Sequence, residues 1–281
     1  SIASPLAVRT VPDGKRALAL SAIATGSSVA MVVGLPLGRV VGLYVGWRMT
    51  FLSIAIISAL IFVFILMVFP KLQSRGKFAF KELPTLLHNR VLLGVFIMSV
   101  LFATAHYTGY SYIEPFLGKG AAMAPDTVTL VLIVCGGSGM FGSIAFSKYY
   151  MSNRRRFMLA VTLGPALCML LLQAATTGMA YILAVCILWG AMATAFNIAF
   201  QDNTIRFAPE HATSIAMSIF SGIFNLGIGS GAYIGGLVVS RLSIEYIGYA
   251  GGAIGMIATL YLTLRYFPNM RRREAAETKQ K

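Results

Sequence analysis

The stretch that most restricts what this chain can fold into is Ala17–Arg48, ALALSAIATGSSVAMVVGLPLGRVVGLYVGWR. Its first 22 residues, Ala17 to Gly38, carry no charge, the length a helix needs to cross a hydrocarbon layer. Glycines fall at Gly26, Gly34, Gly38 and Gly42. The last three are one helical turn apart and form a smooth stripe on one face. Pro36 lies within that stripe and removes a backbone donor, which loosens or bends the helix there. Two readings stay open: a tightly packed membrane helix, or a hinge-like element that a second helix slides against.

The pattern recurs 197 residues later in a fixed register. Arg9, Pro12 and Asp13 correspond to Arg206, Pro209 and Glu210. Ala19 and Ser21 correspond to Ala216 and Ser218, and Gly34 and Gly38 to Gly231 and Gly235. Small residues alone are common in membrane helices, but a shared Arg-x-x-Pro-acid loop before each helix is not. Internal repetition of membrane-spanning units points to a transporter.

Composition agrees. Of 281 residues, 57% are hydrophobic and 11% charged, and the mean hydropathy is +0.77, outside the range of soluble domains of this size. The net charge of +14 sits in short runs between apolar spans, which reads as membrane orientation and not as a nucleic-acid surface. Cys135, Cys168 and Cys186 lie inside apolar spans without a Cys-x-x-Cys pair and read as packing residues. Neither metal nor cofactor is expected, and no Walker loop, His-Glu-x-x-His or nucleophile set argues for an enzyme.

Eight spans are predicted, at roughly 17–42, 49–69, 91–113, 127–147, 157–175, 180–200, 212–239 and 246–264. The apolar run 157–200 is too long for one helix and is broken at Ala175-Thr-Thr-Gly-Met, where Gly178 supplies the turn. Lys and Arg in alternate loops divide 19 to 4, which places both ends of the chain in the cytoplasm. An even number of spans requires the same. The chain opens on Ser1 with a short apolar piece lacking a basic leader, and reads as the continuation of a longer chain. Because spans one and seven correspond, six helices make one unit. The expected divisions are 1–69, the last two helices of a first unit; 70–90, a cytoplasmic loop between units; 91–267, a complete second unit; and 268–281, a basic cytoplasmic tail. Two such units imply a parent of roughly 390 residues and twelve helices.

Twelve helices in two parallel six-helix units with both ends inside is the plan of the major facilitator superfamily, which this chain resembles over essentially its whole length. The antiporter members carry a Gly- and Pro-rich motif in the fifth helix, matched by Gly34-Leu-Pro36-Leu-Gly38-Arg39. Together with PLGRVVGLYVGWRMTF, AHYTGYSYIEPFL and SGIFNLGIGSGA, this is similar to the bacterial sugar efflux transporters of the drug:proton antiporter group. The resemblance implies an all-α integral membrane fold, here an eight-helix piece of it, and a monomer in the bacterial inner membrane. It implies proton-coupled export of sugars or related small polar solutes by alternating access. The same fold also admits export of drugs or other metabolites, uniport, or a non-transporting remnant. The superfamily's cytoplasmic motif, a Gly, an Asp and a basic cluster, is matched by Gly142 and by Arg154 to Arg156, while the acidic position is not matched in Ile144–Tyr150.

Acids are almost absent from the predicted spans; the exception is Glu114, at the outer end of the third and followed by Pro115. It is either a functional carboxylate or an outer-interface residue. His106 lies deeper, and imidazole is the side chain whose ordinary pKa is nearest neutrality. His106, Tyr110 and Glu114 are spaced by four, with Tyr107 seven before Glu114, so an unbroken helix puts them on one face. Hydroxyl partners beside flat apolar rings are what a sugar site requires; a helix–helix contact with satisfied hydrogen bonds is the plainer alternative. Asn225 in the seventh span must face protein or water, since an unpaired amide is costly in lipid. Asn197 and Gln201 line an inner mouth or act as caps, while Phe224 and Trp189 wall a cavity or simply pack. The candidate substrate set is therefore His106, Tyr107, Tyr110, Glu114, Asn197, Phe224 and Asn225. Glu114 and His106 are the candidates for proton coupling, and Gly34, Pro36, Gly38 and Arg39 form the conformational motif. Sugar, protons and the bilayer are the expected partners. Arg154 to Arg156 and Arg271 to Arg273 are expected to meet anionic lipid.

Overall fold

The computed structural model describes residues 30, 34, 37–38, 40–68, 83–209 and 212–279. Pro36 and Arg39, and most of the predicted span 17–42, lie outside the described residues. Seven helical stretches among them are long and apolar enough to cross a membrane. The chain divides into two compact units, Ser1–Ala79 and Phe80–Lys281.

In the first unit, residues 40–44 are helical and end at Gly46, whose φ of +100° is a conformation that side chains rarely adopt. Helix α1 (Trp47–Val68) follows, with no buried residue along its 22 positions. Its isoleucines, leucines and phenylalanines all face outward, which a helix tolerates only against lipid or another apolar surface. Thr50 approaches Gly38, its Oγ1 3.5 Å from the Gly38 carbonyl. A Cβ at Gly38 would touch only the Thr50 methyl at 3.8 Å, and one at Gly34 would meet nothing within 4 Å.

The second unit is built on α2 (Arg90–Tyr110). Asn89 caps it: Oδ1 accepts from Val91 and Leu92 N–H (3.2 and 3.3 Å), and Nδ2 donates to the Phe207 carbonyl at 2.9 Å. Next come α3 (Pro125–Gly137) and α4 (Gly139–Tyr149), one span interrupted at Ser138, whose hydroxyl bonds the Cys135 carbonyl at 2.6 Å. Helix α5 (Arg154–Ala175) is capped by Asn153 and carries Pro165 inside it. Helix α6 (Met179–Phe207) starts from Gly178, where the sequence places the break. It runs two turns past the predicted end at 200, stopping at Ala208 because Pro209 forces the preceding residue into extended backbone. Then follow α7 (Thr213–Arg241) and α8 (Ile247–Tyr261). A π-helical turn, Leu262–Tyr266, joins α8 to α9 (Phe267–Lys279). The last span therefore continues as helix through the expected tail, with Met270 buried at 2% exposure.

Close backbone approach holds this unit together. Gly227, Gly231 and Gly235 of α7, each one turn apart, lie against α2. A Cβ at Gly231 would stand 2.5 Å from the Thr104 carbonyl and 2.9 Å from the Thr108 N–H. On another side of α2, Gly251 of α8 leaves 2.8 Å between such a Cβ and the Ala105 carbonyl. Where lipid tails are as apolar as the side chains, close van der Waals approach replaces the hydrophobic effect as the driving force. The tyrosine hydroxyl of Tyr112 adds a tie, donating to the Ala232 carbonyl at 3.0 Å. Hydroxyls within the spans are satisfied by their own helix, as in Ser99 to Val95 (2.8 Å), Thr108 to Thr104 (2.7 Å) and Thr162 to Met158 (2.8 Å). Cys135, Cys168 and Cys186 are free and buried.

Candidate functional site

Helix α2 presents His106, Tyr107 and Tyr110 toward α6 and α7. The His106 and Tyr110 rings are stacked with centroids 5.1 Å apart, one helical turn separating them as their spacing demands. Tyr107 meets both edge-on, at 4.9 and 5.9 Å. Phe224 of α7 approaches Tyr107 at 6.5 Å, made possible by the glycine stripe that brings α7 onto α2. From α6, Trp189 closes the other flank. It is fully buried and contacts His106 at 5.4 Å and Tyr110 at 6.2 Å. Phe102 stacks beneath His106 and on Phe196, extending the ring surface one turn further.

Hydrogen bonding fixes the imidazole. Trp189 Nε1–H donates to His106 Nδ1 at 3.1 Å. An indole nitrogen only donates, so Nδ1 must be the accepting nitrogen and the neutral ring carries its proton on Nε2. Among the described residues, neither that Nε2 nor the hydroxyls of Tyr107 and Tyr110 have a hydrogen-bond partner. The half-buried face thus offers three polar atoms among the rings of Tyr107, Tyr110, Trp189, Phe224 and Phe102.

The other predicted residues are placed as follows. Asn225 is exposed on α7, beside Phe224, and spends one N–H on the Ser221 carbonyl at 2.8 Å. Asn197 lies half-buried on α6 and accepts from Gln201 Nε2. Glu114 is exposed in the short helical segment Ile113–Pro115. The unbroken helix assumed for it ends at Tyr110, because Tyr112 N–H bonds back to Gly109 (3.1 Å) and tightens the turn at Ser111–Tyr112. The regular spacing that aligned Glu114 with His106 therefore does not extend through this turn.

A second polar centre, not anticipated, lies at the basic end of the unit. Asp202 comes from the two extra turns of α6 and accepts the Tyr150 hydroxyl at 2.9 Å. Asn203 donates to the same hydroxyl at 2.8 Å and to the Ala199 carbonyl at 2.7 Å. Arg154 lies 5.2 Å over the Tyr150 ring. Tyr150 thus lies between a carboxylate from α6 and the guanidinium of Arg154. Gly142 packs on the Ala191 carbonyl, with no room for a side chain. Glu274 of α9 joins the same end, 3.0 Å from Arg155 and 3.9 Å from Arg206. The signal for Asp202 was present in Gln201-Asp-Asn, but only a helix extended beyond 200 gathers it into the bundle.

Multiple apolar helices, glycine-mediated packing and a polar aromatic face inside one unit define a multi-pass helical membrane protein of the transporter class. Residues 1–217 match the family model described as Major Facilitator Superfamily. The chain belongs to that superfamily, whose members are transporters that take small-molecule substrates across a lipid bilayer.

Proposed function

We propose that this chain is part of a proton-coupled exporter of sugars or related small polar solutes, working by alternating access in a bacterial inner membrane with both ends of the chain cytoplasmic. We assign substrate contact to His106, Tyr107, Tyr110, Phe224 and Asn225, with Asn197 and Glu114 at the two ends of the path. The observation that carries this reading is the α2 face itself. Flat rings suit the apolar faces of a pyranose, and the two tyrosine hydroxyls, the His106 Nε2–H and the Asn225 amide suit its hydroxyls. An imidazole inside that face supplies a group able to exchange a proton while substrate is bound. Glu114 is the second proton candidate. The conformational motif Gly34, Pro36, Gly38 and Arg39 serves as the bending element of the first unit, and the transporter works as a monomer.

The test is counterflow in proteoliposomes of the twelve-helix parent that the repeat implies, with a panel of labelled mono- and disaccharides and an inward proton gradient imposed or absent. Gradient-stimulated export of at least one sugar is expected. Sugar movement indifferent to the gradient makes the protein a uniporter, and movement of amphipathic drugs alone moves the substrate class to drugs.

A further inference from the structure

The helix that closes the second unit carries a groove on the face turned away from the bundle. Leu262, Tyr266 and Met270 point into the core at 2% exposure or less. On the outward side, Thr263, Phe267, Pro268, Arg271 and Arg272 line a groove of about 380 Å³. The π-helical turn Leu262–Tyr266 sits at its start, where an extra residue widens the turn. Above the groove, Ile257, Leu260 and Leu264 are each about 60% exposed and follow one another at helical spacing. From Ile257 to Phe267 this stripe is roughly 15 Å long, the depth of one leaflet's hydrocarbon.

Neither Arg271 nor Arg272 has a carboxylate partner among the described residues. The nearest acid on the helix, Glu274, has its two oxygens turned to Arg155 and Arg206. The Thr263 hydroxyl donates to the Thr259 and Leu260 carbonyls (3.1 and 3.0 Å), so it lends the groove a methyl floor and no donor. All the donors come from two adjacent guanidinium groups, whose planar forks match phosphate oxygens.

We propose that this groove binds one anionic phospholipid, its phosphate held by Arg271 and Arg272 and an acyl chain lying along Ile257, Leu260 and Leu264. An apolar stripe one leaflet deep, ending in two unpaired arginines, matches a molecule with a chain and an anionic head. A free anion would use only the lower half. The site is separate from the His106 face and does not depend on what is transported.

Native mass spectrometry of the detergent-purified protein tests it, using phosphatidylglycerol, phosphatidylcholine with the same chains, and soluble glycerol phosphate as a competitor. The variants are Arg271→Gln with Arg272→Gln, and Lys148→Gln as an exposed basic control. Phosphatidylglycerol is expected to stay bound one to one. The double variant should weaken it roughly thirty-fold, about fivefold per arginine, while Lys148→Gln changes nothing. Equal weakening in the control, equal retention of phosphatidylcholine, or displacement by glycerol phosphate would each overturn the assignment. These outcomes point respectively to diffuse charge attraction, chain-only binding and a free-anion site.

Discussion

Trp189 donates its indole N–H to His106 Nδ1 across 3.1 Å, joining α6 to α2 through residues 83 apart in sequence. The bond selects the tautomer with the proton on Nε2, aimed away from the tryptophan. A proton arriving on Nδ1 must break the bond, so protonation of this histidine is tied to the α2–α6 contact. Trp189→Phe keeps a ring and removes the donor. It should raise the KM for the exported sugar roughly two- to tenfold, the value of one hydrogen bond, with the folded protein otherwise intact. Counterflow kinetics alongside a thermal unfolding curve check this.

The glycines of α7 make a paired prediction. Gly231→Ala drives a Cβ to within 2.5 Å of the Thr104 carbonyl, a backbone atom that cannot swing aside. A loss of about 1–3 kcal/mol is expected, with transport falling as α7 is pushed off α2. Gly229→Ala, two residues earlier, meets nothing within 4 Å. It should be neutral, or stabilising by up to about 1 kcal/mol through helix propensity. Unfolding midpoints in detergent distinguish the two.

Tyr150 stands just beyond the end of α4, buried at 1% exposure. Burial, and then the Asp202 carboxylate, push its phenol well above the ordinary value of 10. An unfolded chain gives up this proton near pH 10 while the folded one keeps it. The contribution to stability is therefore complete below that pH and declines as pH rises toward the folded value. Tyr150→Phe should cost about 1–3 kcal/mol at neutral pH by leaving Asp202 without its donor. It should also flatten the alkaline part of the stability curve. Unfolding midpoints measured at about pH 8 and about pH 11 test both parts.

Glu274 holds α9 to Arg155 and Arg206, but all three side chains are about a third exposed. Glu274→Gln is accordingly expected to cost less than about 1 kcal/mol, and the cost should vanish in high salt. A loss of several kcal/mol, insensitive to salt, would mean that this contact is much drier than its exposure indicates.

Much of the second unit was legible from local pattern. The spacing of Gly231 and Gly235 announces a smooth helix face, and that face meets α2. Gly178 marks the break between two spans in an otherwise continuous apolar run. The ring set on α2 follows from fourfold spacing, and the structure stacks His106 on Tyr110 accordingly. Contacts between distant segments leave no such trace. The sequence marks Trp189 as a cavity wall or a packing residue, and nothing local in it announces the 3.1 Å bond to His106, 83 residues away. Asp202 fell beyond the predicted end of its helix, because a polar Gln201-Asp-Asn run reads as loop when hydropathy alone sets the boundary. Glu114 was aligned by assuming an unbroken helix, and the tightened turn at Ser111–Tyr112 is a backbone event that apolar spacing does not reveal.

The most direct measurement is sugar-dependent proton movement in proteoliposomes of the twelve-helix parent, comparing the unaltered sequence with His106→Ala and Glu114→Gln. Proton-coupled export through the His106 face predicts that sugar addition moves protons, and that His106→Ala abolishes both this and counterflow. Loss of proton movement alone in Glu114→Gln would assign that carboxylate to coupling. Sugar-driven proton movement that survives His106→Ala unchanged would contradict the account.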